Sequence, residues 1–423
     1  MTDSQTIQSH ELPRWRILIS AIVVMLCTGS TYAFSVLIGP MSAAHGWSAE
    51  QVVLAFTLNL GLAPIPMILS GKIVDKNHAK FCVLLGGILY GIGYFFMGFA
   101  TSIPMLYLSY GIICGFGEAF AYSGCLGNIT RLFPDKRGLA IGLVTAGNGG
   151  SAILFAPLLS ILIQNYNVLI AIRIVGIVFI IICCIAGLLT KTAPIGYAPQ
   201  GWVPPVPVKS EAKSKEGLPW YKMLGTFRFY LIFIMFGIGT LSGLMIVSNL
   251  AKIGQSMFAL SATVAAFYVS FYSLSNCLGR IVWGAISDKI GRYYALISIF
   301  VVIGLMLFTM VKTISPVIFL ISIIGIGLCF GGTMGIMPPI VTENFGTKYY
   351  GVNYGITFIG YAVAAFFGPR LAASIAAQNN GDFSGAFYIA MFCSLIGIAA
   401  TIIYLLMTKN KIPKSESSAT KSA

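Results

Sequence analysis

The sequence is short of charge. Asp, Glu, Lys and Arg supply only 9% of its 423 residues, against about 25% in an average soluble protein. With 57% of the chain hydrophobic, that shortage excludes a soluble enzyme, a secreted disulfide scaffold and a disordered tail protein. Histidine is scarcer still: His10, His45 and His78 sit in a tail and two loops, so no metal cluster can be assembled. The nine cysteines form no CxxC motif, and all lie within apolar stretches. They read as small packing residues rather than ligands or disulfides. A Gly-rich phosphate loop, a paired carboxylate site and a nucleophile elbow are all missing, which argues against an enzyme and against any cofactor.

What is present is length in apolar runs. Spans are expected near 17–38, 51–71, 80–100, 103–127, 138–160 and 168–189. A second set follows near 228–250, 262–285, 293–311, 316–340, 352–372 and 384–407. Each is close to the roughly 20 residues a helix needs to cross a bilayer. The first run is longer than a signal-peptide core and reads as a span, not a leader. Five of the 26 Lys and Arg residues (Arg173, Lys252, Arg280, Lys312 and Arg370) fall outside the termini and alternate short loops. This positive-inside bias puts both termini in the cytoplasm of a cell (inner) membrane protein. It also accounts for a net charge of +14 without invoking nucleic acid; the partner surface is the lipid bilayer.

A polar interval from 190 to 227 divides the chain. It holds Pro194, Pro199, Pro204, Pro205, Pro207 and Pro219 among lysines and glutamates, a composition that favours extended, solvated backbone. The expected organisation is a six-helix bundle over 1–189, a cytoplasmic linker over 190–227, and a second six-helix bundle with a tail over 228–423.

The halves repeat. Gly71-Lys-Ile-Val-Asp75-Lys76 matches Gly284-Ala-Ile-Ser-Asp288-Lys289, and Gly138-x-x-x-Gly142 matches Gly351-x-x-x-Gly355, all at a separation of 213 residues. Repeated halves place a binding site between them near mid-membrane. The second loop, Gly284-Ala-Ile-Ser-Asp288-Lys289-Ile-Gly291-Arg292, resembles the GxxxDKxGR signature of the major facilitator superfamily. That resemblance implies twelve transmembrane helices in two pseudo-symmetric bundles, an all-α membrane fold. Asp288 can pair with a cation or cap a helix, and Arg292 can anchor at the anionic leaflet. Gly71, Asp75, Gly284, Asp288 and Arg292 are therefore candidate gating residues. The first copy has Asn77-His78-Ala79-Lys80 where Gly and Arg are expected, which points to a weaker latch there.

Two ionisable residues fall near mid-membrane, where charge defaults to function. Arg280 lies eight residues before Asp288, about 12 Å along a helix, on a polar stripe with Asn276 and Ser273. Its guanidinium matches a carboxylate bidentately; a structural partner such as Glu118 is the competing reading. Glu118 lies 13 residues before Arg131, with Tyr122 one turn later. A carboxyl withdrawn from water holds its proton more readily, which suits a proton carrier.

The chain further resembles the oxalate/formate antiporter family. The likeness rests on Arg131-Leu-Phe-Pro-Asp-Lys-Arg-Gly-Leu-Ala-Ile-Gly142, on Asn276 to Arg292, on Gly29-Ser-Thr-Tyr32 and on Tyr197-Ala-Pro-Gln-Gly-Trp202-Val-Pro-Pro205. It implies a carrier of small carboxylates. Arg280 stands where that family and the related monocarboxylate transporters have their substrate-binding arginine. Tyr32, Tyr122 and Phe330 stand at its aromatic cavity positions. Tyr361 occupies the position of a lysine that gives the oxalate exchanger its second positive charge. One cation and one titratable carboxyl suit a monocarboxylate (lactate, pyruvate or formate) moving with a proton. Anion exchange with a counter-anion, and a transporter-like sensor without flux, are the alternatives. A monomer is expected.

Overall fold

The computed structural model describes residues 12–194, 197–199, 217–312 and 315–409. Among them every regular element is helical. In chain order the long helices are α1 Arg14–Ala33, α2 Gln51–Asp75, α3 Ala79–Met97, α4 Ile103–Leu132, α5 Arg137–Asn165, α6 Val168–Leu189 and α7 Phe227–Leu250. After them come α8 Ala262–Ile290, α9 Arg292–Lys312, α10 Pro316–Phe345, α11 Tyr350–Gln378 and α12 Ser384–Thr408. Eleven are long and apolar enough to cross a membrane. The twelfth, α8, is of spanning length but carries Arg280, Asp288 and Lys289.

Four of these helices depart from regular α winding. Sequence periodicity predicts an unbroken first span, but α1 tightens to a 3₁₀ turn over Gly29–Ala33, and helix resumes at Ser35–His45. The hydroxyl of Thr31 lies 3.2 Å from the Thr28 carbonyl, within reach of a side-chain bond that competes with the helix. Helix α2 is interrupted at Ala63, ahead of Pro64, whose ring removes a donor and crowds the preceding turn. Helix α4 widens to π winding over Tyr107–Cys114, with Asn59 Nδ2 bonding the Tyr110 carbonyl at 3.1 Å. Helix α11 is interrupted at Phe358. Departures of this kind gather at functional sites.

Within the first six helices, α3 packs on α4 and α6, and α1 on α5 and α6. Within the last six, α8 packs on α10, α7 on α11, and α9 on α10 and α12. Contact between the two sets runs mainly along α5–α8 and α2–α11. A shift of 213 residues carries α2 onto α8 and α5 onto α11, so each seam is the image of the other. Small residues make both seams close: a Cβ on Gly351 would come within 2.6 Å of the Gly71 backbone, and one on Gly142 within 2.8 Å of the Arg280 carbonyl. Without a hydrophobic drive between helices in lipid, such backbone approach is a main source of cohesion.

Of the expected linker, residues 195–196 and 200–216 lie outside the described residues, as does Trp202 of the antiporter-like stretch. Its ends are anchored to different halves. Asn128 of α4 bonds the Lys191 carbonyl and the Ala193 N–H (2.9 and 2.7 Å). Leu218 N–H bonds the Phe345 carbonyl, and Asn353 bonds the Leu218 carbonyl, both at 2.8 Å.

Candidate functional site

Arg280 is fully buried, held where α5, α8 and α10 meet. Its Nη1 donates across the seam to the Thr145 carbonyl of α5 at 2.5 Å. Its Nε donates to Asn276 Oδ1, one turn earlier, at 3.2 Å. Gly149 leaves the guanidinium room, since a Cβ there would come within 2.8 Å of Nε and 2.6 Å of Asn276 Oδ1. Two donors stay unsatisfied, Arg280 Nη2 and Asn276 Nδ2. Buried donors without partners cost about 1–3 kcal/mol each, so two of them on residues one helical turn apart would be relieved by an acceptor.

Glu118 sits on α4 just after the π segment. Its Oε2 accepts from Thr31 Oγ1 at 2.7 Å, and its Oε1 accepts from Asn148 Nδ2 at 3.4 Å. The Thr31 hydroxyl also meets Tyr90 Oη at 3.1 Å, and Ser30 Oγ meets the same phenol at 2.8 Å. Glu118 is half-buried and borders a small cavity of about 30 Å³. Tyr32, Tyr122, Asn148, Met334, Phe358 and Tyr361 share that cavity with it. A second cavity of about 90 Å³ is bordered by Thr31, Tyr32, Phe56, Val247, Ser248 and Ser273. Tyr32 borders both.

The residues singled out by sequence thus fall into two groups. Tyr32, Tyr122 and Tyr361 border one cavity with Glu118. Arg280 and Asn276 border neither of these cavities, and Asn148-Gly149 of α5 stands between the groups. The competing pair of Arg280 with Glu118 is not formed: the ion pairs among the described residues are Arg14–Asp135, Arg292–Asp288 and Arg292–Glu343. Phe330 is buried with its ring packed over Gly243 of α7 and does not border the Glu118 cavity. Sequence reading missed Thr31, Tyr90, Thr145 and Asn148. The one signal for Asn148 was a polar residue inside the run Gly147-Asn148-Gly149-Gly150.

The repeated loops meet the opposite half at the basic end of the bundle. Asp75 caps α11 in trans, accepting from the N–H groups of Gly351 and Val352 at 2.8 and 3.2 Å. Asp288 lies against Gly138 at the start of α5 and pairs with Arg292 at 2.5 Å. Arg292 in turn pairs with Glu343 at 3.1 Å and bonds Ser287 Oγ at 2.6 Å. The degraded first copy thus still caps a helix of the opposite half. Its lost glycine is compensated by Asn77 at φ 70°, a left-handed conformation that Asn tolerates. Its lost arginine is compensated by Arg131 of α4, which bonds Asn77 Oδ1 at 3.1 Å and acts electrostatically on Asp75.

Comparison with known proteins agrees with this architecture. The profile of the Major Facilitator Superfamily matches residues 20–369. The oxalate:formate antiporter of Oxalobacter formigenes is 31% identical over 405 residues, 94% of each chain. The uncharacterized MFS-type transporter YhjX of Escherichia coli (strain K12) is 28% identical over 85% of this chain and 88% of its own. Monocarboxylate transporter 12 of Xenopus laevis is 25% identical over 77% and 76%. The chain belongs to the Major Facilitator Superfamily, as a multi-pass membrane transporter related to the oxalate:formate antiporter and the monocarboxylate transporters.

Proposed function

We propose that this transporter moves small monocarboxylates of the lactate, pyruvate or formate type together with H⁺, by alternating access. The observation that carries the reading is a pair of unsatisfied buried donors on residues one helical turn apart, Arg280 Nη2 and Asn276 Nδ2, which suits an anionic acceptor such as a carboxylate. A single charge is favoured because Tyr361, not a cation, stands on α11 beside the cavity. A dianion there would keep one charge unpaired, at a cost of several kcal/mol. Tyr32, Tyr122 and Tyr361 line the substrate path, with Phe330 packed behind it on Gly243, and Glu118 carries the proton.

Residues 1–189 and 228–423 are the two bodies that rock, and 190–227 is the cytoplasmic linker. The anchoring of its two ends to different halves supports that division. Gly71, Asp75, Gly284, Asp288 and Arg292 close the basic end, which faces the cytoplasm of a cell (inner) membrane with both termini. The working unit is a monomer.

Purified protein in proteoliposomes tests this with labelled mono- and dicarboxylates. Accumulation of a monocarboxylate driven by an inward pH gradient alone is expected. Flux that strictly requires an internal anion, with no response to the gradient, would replace symport by exchange. That second reading draws its support from the 31% identity to a named antiporter.

A further inference from the structure

The 3₁₀ turn in α1 places a single hydroxyl between two acceptors. Thr31 Oγ1 is 2.7 Å from Glu118 Oε2 and 3.2 Å from the carbonyl of Thr28. A threonine has one hydroxyl hydrogen and can serve only one of them at a time. Tyr90 Oη, itself fully buried and bonded to Ser30, holds the same oxygen from the other side. Tied in this way, Thr31 stays in place while its hydrogen turns.

We propose that Thr31 is a positioning residue that reads the protonation of Glu118 and passes it to the backbone of α1. The inference rests on the reading of Glu118 as the proton carrier. With Glu118 ionised, Thr31 donates to Oε2 and leaves the Thr28 carbonyl to the backbone. When a proton arrives on Oε2, that oxygen becomes the donor to Thr31 Oγ1. The Thr31 hydrogen then turns to the Thr28 carbonyl. No proton is gained or lost beyond the one taken up by Glu118. The side-chain bond to Thr28 strengthens the bend at the turn.

The bend is placed to act on the arginine. Gly29, the first residue of the turn, packs directly on the backbone of Asn148. Asn148 bonds Glu118, and its neighbour Gly149 lies against the Arg280 guanidinium. Protonation on α4 and anion binding on α8 are thus joined by contiguous contacts through α1 and α5. The ionisable groups around Glu118 are Tyr32 on α1, Tyr90 on α3, Tyr110, Cys114 and Tyr122 on α4, Arg280 on α8 and Tyr361 on α11. Tyrosines and thiols are neutral near pH 7, so only Arg280 among them brings charge.

The test is the pH profile of gradient-driven uptake in proteoliposomes for Thr31→Val, Thr31→Ala, Thr31→Ser and Glu118→Gln. Loss of the hydroxyl withdraws a charge-assisted bond from the ionised carboxylate and a weaker neutral bond from the protonated one. In the Val and Ala variants the half-maximal pH should therefore move up by roughly one unit, the excess of a bond to a charged group over a neutral one. Thr31→Ser, which keeps the donor, should restore the wild-type midpoint. Ala serves if Val fails to fold. A wild-type midpoint in a folded Val or Ala variant overturns the role of Thr31, while loss of gradient drive in Glu118→Gln leaves the carrier reading standing. Gradient drive surviving in Glu118→Gln overturns both.

Discussion

At the residue scale, Arg280 is set apart by how it is satisfied. A fully buried guanidinium (0% exposed) normally needs a carboxylate, because an unpaired buried charge is strongly destabilising. Here it has a backbone carbonyl from the opposite half and an asparagine from its own helix. Neither removes the positive charge, so the site is poised for an anion. Lysine keeps that charge but cannot reach Thr145, Asn276 and a ligand with a planar fork. Arg280→Lys should therefore raise the substrate Kd by about 100-fold, the scale of a lost buried charge-assisted contact of roughly 3 kcal/mol. Substrate-induced thermal shift on the purified variant reads this directly. A shift equal to wild type in Arg280→Lys, and again in Arg280→Gln, would remove the arginine from the binding site.

At the element scale, the two seams are the parts of the molecule that the proposed alternating-access cycle opens and closes. Asp75 holds α11 by its first turn, where free N–H groups and the helix dipole favour a carboxylate. A cap of this kind contributes about 1 kcal/mol. Asp75→Asn keeps the shape but not the charge, and should shift the population towards the state open at the basic end by roughly fivefold. Spin labels at exposed positions flanking α2 and α11 on that end would report it as growth of the longer distance. An unchanged distance distribution would show that glycine packing alone closes the seam. Much of this geometry was legible in the sequence. The 213-residue offset matched Gly71 to Gly284 and Gly138 to Gly351, and across the seams Gly71 meets Gly351 while Gly138 meets Gly284. What was not legible was compensation. Asn77 restores the turn from a position the motif leaves open, and Arg131 restores the charge from another helix, so the first copy read as degraded. The break in α1 was hidden for a related reason. Gly29-Ser30-Thr31 sits inside an apolar run, and hydrophobic periodicity is blind to where a hydroxyl finds its acceptor. Thr31, Tyr90 and Asn148 looked like ordinary packing residues because their roles depend on which helices become neighbours.

At the scale of the whole molecule, the proposed symport requires a proton on one helix and an anion on another to move together. Glu118 and Arg280 form no ion pair in this structure, and Asn148-Gly149 separates them. Direct neutralisation of one by the other therefore does not stabilise this state. Each side chain is held by neutral dipoles instead, Glu118 by Thr31 and Asn148, Arg280 by Thr145 and Asn276. Moving either charge through a closed seam in that condition costs several kcal/mol. The cost falls when an anion occupies Arg280 and a proton occupies Glu118, so reorientation is fastest with both sites filled. Glu118→Gln fixes one site in its neutral form. It should keep substrate counterflow, at a reduced rate, while losing most accumulation driven by an inward pH gradient. Counterflow and gradient-driven uptake on the same liposome preparation give the ratio that decides. A ratio equal to wild type would mean that the proton travels by a route that does not include Glu118, and that the Thr31, Tyr90 and Asn148 cluster serves only to close the helices around it.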